Sequence, residues 1–231
     1  MNPTLYSALT LIIPLIIAIV FHEVAHGWVA LMLGDPTAQE RRRLTFNPLR
    51  HVDPIGTIVL PGILALIKAP IFGWAKPVPI DKSRLRNPRF GMMAVAIAGP
   101  ASNLILAGVA AIALGLMARS LGGQAPAQAG LAAFVVANLF NFLLINIFLA
   151  LFNLLPIPPF DGSHIVEGLL PPRAAEVYAR LRQFGFLLIV LLLFVLPKLI
   201  PGFDLIGHYV QPPVEWLTNH YLALAAAVAG R

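Results

Sequence analysis

The sequence predicts an all-α polytopic membrane protein: one membrane-embedded domain with about four transmembrane helices and a short membrane-dipping β or re-entrant element. Three observations carry this. Of 231 residues, 58% are hydrophobic and 11% charged, and the mean hydropathy is +0.83. Soluble chains carry about 25% charged residues, so much of this surface is built to meet something other than water. The apolar residues fall in runs long enough to cross a bilayer, which takes about 20 residues at 1.5 Å each. The charge is segregated: ten of the sixteen Lys and Arg residues lie between Arg41 and Arg89, between two apolar runs. A basic loop held at one membrane face accounts for the net charge of +6, so nucleic acid is not expected as a partner.

The first span covers residues 5–33 and is charge-free except at Glu23. Its first 21 residues hold no Lys or Arg, and no small-residue cleavage site follows, so a removable leader is not expected. Residues 91–118 and 131–155 form the second and third spans, neither with a charge. Residues 184–200 form a shorter fourth, with Lys198 near its end, placed to snorkel. Pro14 and Pro100 fall inside spans, which packed neighbouring helices tolerate.

Between the first two spans, "IGTIVLPGILALI" is apolar but too short to cross, and Pro61-Gly62 interrupts it. With its flanks, residues 44–80 read as short strands and turns dipping into the membrane from one side. Asp53-Pro54 reads there as an Asx-turn. The tail, residues 201–231, ends in an apolar stretch expected to lie as an interfacial helix. Loops 34–89 and 156–183 hold nearly all the Lys and Arg, so the positive-inside rule places them in the cytoplasm of a multi-pass cell-membrane protein, with both termini outside. Arg41, Arg42 and Arg43 are expected to meet anionic lipid headgroups of the bilayer.

The first span contains "FHEVAHG". His22 and His26 are one helical turn apart, so their imidazoles share a face and can converge on one ion. With Glu23 beside them the pattern is H-E-x-x-H, two zinc ligands and a general base. Ionisable groups in a span are costly and need a compensating partner, which a divalent cation provides. With no cysteine in the chain, further ligands must be His, Asp or Glu. Asp161 stands in "NLLPIPPFDGSHI", just past the third span, where prolines keep the chain extended and Gly162 permits a sharp turn. His164 and Glu167 are alternatives as a third ligand, and Asp161 could instead cap the helix that follows. Asn138, Asn146 and Asn153 share one sector of the third span. Interhelical hydrogen bonds are the expected role of Asn138 and Asn146. Asn103, in "AGPASN", is expected to serve packing of the second span.

"FHEVAHG", "LGDPTAQERRRLTFNPLRHVDPIGT", "FGWAKPVPI", "AGPASN" and "NLLPIPPFDG" together resemble the site-2 protease family of intramembrane zinc metalloproteases, nearest its small members without PDZ or CBS modules. The resemblance covers most of residues 15–170. It implies His22, His26 and Asp161 as ligands of one Zn2+, Glu23 as general base and Asn153 near the reacting carbonyl. It also implies single-span membrane proteins as substrates. Where the family often has Leu before its Asp-Gly, this chain has Phe160, which changes shape and not ligand chemistry. A metal or ion transporter is the competing class; it favours paired repeats, which this sequence lacks. An inactive membrane scaffold would not require the intact His22-Glu23-His26.

Overall fold

A computed structural model describes residues 3–66, 73–122, 124 and 130–231. It contains α1 (Pro3–Met32), α2 (Pro88–Ser120), α3 (Leu131–Asn153), the short α4 (Asp161–Leu169), the helical run α5 (Pro172–Leu199) and α6 (Gln211–Ala229). Among the described residues α1, α2, α3 and α5 are long and apolar enough to cross a membrane. The fourth span thus begins earlier than expected, and it is less regular, with tighter and wider turns at Arg180–Phe184 and Leu191–Val195.

Local chemistry sets these elements. α2 opens where Asn87 accepts from Phe90 N at 3.2 Å, with Pro88 in the first turn, where its missing N–H costs nothing. Pro14 lies inside α1 and cannot donate to Thr10 O, one turn earlier. Asn141 Nδ2 of α3 fills that acceptor at 2.8 Å. The proline thus yields a docking point between spans instead of an orphaned carbonyl, as hydrocarbon surroundings demand.

α2 is the central helix and packs on α1, α3, α4 and α6. Ala107, Ala110 and Ala111 of α2 form one buried cluster with Leu143 and Ile147 of α3 and Ala225 of α6. A Cβ on Gly115 would lie 2.4 Å from Ala225 O, so α2 and α6 meet backbone to backbone. Small residues permit this approach, which matters in lipid, where van der Waals packing and hydrogen bonds draw helices together. The outer faces keep Leu11, Ile12, Ile105, Val109, Phe186 and Leu187 exposed, while Asn103 and Asn146 are fully buried. This apolar outside and polar inside inverts the soluble pattern.

One expectation is corrected. The β element over residues 44–80 does not form among the described residues; residues 67–72 lie outside them. Pro54–Val59 is a wide helical turn that runs into the helix Leu60–Leu66. The Asx-turn at Asp53 is present, and it starts this helix: the carboxylate accepts from Ile55 N at 3.0 Å and Gly56 N at 2.7 Å. Pro54 at the first helical position adds a fixed φ, and together they override the β preference of Thr57, Ile58 and Val59. Residues 73–81 are extended but unladdered, tied by Trp74 N to Gly56 O (3.2 Å) and Lys76 N to His51 O (2.9 Å). In the tail, helix α6 packs along α2 and α3, and Tyr221 Oη donates to Leu104 O at 2.9 Å.

Candidate metal centre

His22 and His26 project from one face of α1 toward α2, both buried, with their rings edge to face and centroids 4.6 Å apart. Their Nε2 atoms are 3.0 Å apart. Asp161, the first residue of α4, brings Oδ2 to 3.1 Å from His22 Nε2 and 3.4 Å from His26 Nε2. Among the described residues, His22, His26 and Asp161 form a group able to hold a metal ion, with ligand atoms within 4.8 Å of one another. The alternative of Asp161 as a helix cap does not hold, because Phe160 occupies the cap position and the carboxylate faces α1 instead.

Two glycines make the convergence possible. A Cβ on Gly99 of α2 would lie 2.5 Å from His26 Nε2 and 2.6 Å from His22 Cε1. A Cβ on Gly162 would lie 2.2 Å from Leu154 O and 2.4 Å from Leu155 O. Gly162 was expected to allow a sharp turn, yet it sits in helix α4 with no left-handed φ. Its small size, which lets α4 tuck under the end of α3, is what the fold uses.

The histidine tautomers decide whether a cation fits. His26 Nδ1 lies 2.7 Å from Val95 O, which can only accept, so Nδ1 carries the proton. His22 Nδ1 lies 2.6 Å from Asn103 Oδ1, whose amide nitrogen is already donating to Asn146 Oδ1 at 2.7 Å. In the neutral rings both Nε2 atoms therefore present lone pairs. They face Asp161 Oδ2, which is buried and has no hydrogen-bond partner. With the rings neutral, these three electron-rich atoms repel one another unless a cation lies between them. Ligand atoms about 2.0–2.2 Å from a tetrahedral zinc stand roughly 3.3–3.6 Å apart, and the three observed separations, 3.0, 3.1 and 3.4 Å, lie within that range or a few tenths of an ångström short of it. The donor set fits zinc.

Glu23 is half-buried on α1, and its Oε2 accepts from Val78 N at 2.7 Å. Val78 lies between Pro77 and Pro79 in the extended segment, which comes this close because Gly27 has no side chain: a Cβ there would lie 2.9 Å from Val78 Cγ1. Asn153, at the end of α3, donates to Leu149 O of its own helix at 2.9 Å. His164 and Glu167 turn away from the histidines. Lys82 Nζ reaches Glu167 Oε1 at 2.7 Å, and Arg182 binds both Glu167 and His164. Burial first, and Arg182 second, push the His164 imidazole down to about 4. The expected interhelical bond is made by Asn146; Asn138 bonds within its own helix, to Phe134 O. Sequence reasoning missed the Val95 carbonyl and Asn141, and it did not place Asn103 or Gly99 beside the histidines. The signal for Asn103 was its carboxamide within an uncharged span.

Residues 10–196 match the family model for peptidase family M50. The chain belongs to peptidase family M50. It is 40% identical over 205 residues to "Putative zinc metalloprotease YwhC" of Bacillus subtilis, covering 88% of this chain and 84% of that protein. It is 32% identical over 181 residues to "Putative zinc metalloprotease Rip2" of Mycolicibacterium smegmatis, covering 77% and 64%. With the Rip2 protein of Mycobacterium tuberculosis it shares 29% identity over 222 residues, covering 94% and 77%. No solved structure matches the chain. Membership in family M50 agrees with the site-2 protease resemblance of the motifs, and H-E-x-x-H and Asp-Gly lie inside the matched span.

Proposed function

We propose that this protein is an intramembrane zinc metalloendopeptidase that cleaves peptide bonds in or near transmembrane segments of single-span membrane proteins. His22, His26 and Asp161 hold one Zn2+ per chain, and Glu23 is the general base. The observation that carries this reading is the convergence of two imidazole lone pairs and a buried carboxylate beside Glu23. Zinc supplies a Lewis acid there and makes water nucleophilic near neutral pH.

The chain's own groups do the rest. Glu23 takes the proton of the attacking water and returns it to the leaving amine. The Val78 N–H fixes the plane of that carboxylate through Oε2, and Oε1 is the oxygen that receives the proton. Asn153 uses its second amide hydrogen to stabilise the oxyanion. His26 stands six residues before the end of α1 at Met32, roughly 9 Å along the axis, so cleavage occurs below the membrane surface, on the cytoplasmic side if the basic loops face the cytosol. A substrate helix hides its carbonyls and must be unwound. Residues 73–81 and the extended stretch ending at Asn47 offer backbone against which an unwound chain can lie. The helical residues Thr57, Ile58, Val59 and Leu60 do not.

The test uses purified protein, a panel of single-span substrates, and a chelator. Cleavage is expected to stop with chelator and return with zinc. Glu23→Gln is expected to keep its zinc and lose cleavage; wild-type cleavage by that variant would refute the proposal.

A further inference from the structure

Asn103 of α2 and Asn146 of α3 are both 0% exposed. A carboxamide among apolar helices is tolerated when its donors and acceptors are met, and here they are met in one direction. Phe142 O can only accept, so Asn146 must turn Nδ2 toward it, at 2.7 Å. Asn146 Oδ1 is then an acceptor, and Asn103 Nδ2 donates to it at 2.7 Å. The same amide also reaches Ala18 O of α1 at 3.3 Å. Asn103 Oδ1 is left facing His22 Nδ1 at 2.6 Å, which must carry a proton. Reversing Asn146 would set two acceptors against each other across 2.7 Å. The polarity set at a main-chain carbonyl of α3 therefore ends on a ring nitrogen of α1. His26 needs no such chain, because its Nδ1 reaches Val95 O directly.

We propose that Asn103 and Asn146 are positioning residues: with the Phe142 carbonyl they form a one-way hydrogen-bond relay that fixes His22 as its Nδ1–H tautomer and presents its Nε2 lone pair to a divalent cation. This rests on the reading of His22, His26 and Asp161 as the zinc site. Outer partners of this kind fix ring orientation and raise ligand basicity. The relay crosses three spans, so a shift of α3 against α2 breaks it, and zinc affinity reports on the packing of the bundle. A pair that merely glued α2 to α3 would have no such effect on the metal.

Two readouts separate these roles: zinc affinity by competition with a chelator, and the ring 15N signals of His22 in zinc-free, histidine-labelled protein. Asn103→Leu is expected to weaken zinc binding about 10–100-fold and to mix the two His22 tautomers. Asn103→Asp keeps an acceptor oxygen beside His22 and is expected to recover most of the affinity. Asn146→Ala leaves Asn103 oriented only by its longer contact to Ala18 O, and is expected to mix the tautomers with a smaller loss of affinity. Should Asn103→Leu not fold, the other two variants decide. Wild-type His22 signals and zinc affinity in Asn146→Ala, or in a folded Asn103→Leu, overturn the relay. Zinc retained by His22→Ala overturns the metal-site reading instead, and the ring signals alone then judge the relay.

Discussion

His22 and His26 were legible because helical periodicity puts positions four apart on one face whatever surrounds them. Their orientation was not, because it depends on contacts far along the chain: Val95 O for one ring and Asn103 for the other. Gly99 was illegible for the same reason, since nothing in "AGPASN" says which helix approaches it. Two outcomes are expected at this scale. Glu23→Gln should lower cleavage by about 10²–10⁴-fold with zinc content unchanged, measured by turnover and metal analysis on one preparation. Gly99→Ala places a methyl 2.5 Å from His26 Nε2, so both rings must shift. A displacement of this order costs about 10²-fold in rate and should lower zinc affinity, with helical content preserved by circular dichroism.

Among the elements, α4 matters most, because it carries Asp161 to the histidines. Its position rests on the missing side chain of Gly162 and on Glu167, which ties α4 to Lys82 before α2 and to Arg182 within α5. Gly162→Ala is expected to push α4 off the Leu154 and Leu155 carbonyls and release the third ligand, seen as lost zinc in a folded protein. The clamp also has a pH dependence. Burial opposes the charged form of His164, and Arg182 adds to this, so its folded value of about 4 lies below the ordinary 6.5 of a histidine. Folding thus favours the neutral ring, with that stability fully present above pH 6.5 and lost as pH falls toward 4. Thermal unfolding midpoints should fall over that window, and His164→Gln should flatten the decline. The sequence marked this segment by its prolines and Asp-Gly pair but misread the role of Gly162, because a steric need looks the same in sequence as a conformational one. The misreading of residues 54–60 was similar: β-branched residues suggested strands, and the Asp53 cap with Pro54 decided for a helix.

Across the whole molecule, hydropathy revealed four spans because lipid imposes a minimum apolar length. It marked α6 as a helix too polar for a span, since Glu215, Asn219 and His220 dilute its apolar residues, but did not show that Tyr221 and Ala225 seat it on α2. The proposed orientation follows from charge alone and is testable simply, because the chain has no cysteine. A Ser83→Cys protein should react with a membrane-impermeant thiol reagent only in inverted vesicles; labelling of intact cells would reverse the topology. The account as a whole depends on one ion shared by α1 and α4, and X-ray absorption at the zinc edge, with stoichiometry, reads that most directly. The expected result is one zinc per chain with two imidazoles and carboxylate oxygen in the wild type, and an altered spectrum or lost metal in Asp161→Ala. One zinc with an identical spectrum in Asp161→Ala would contradict it.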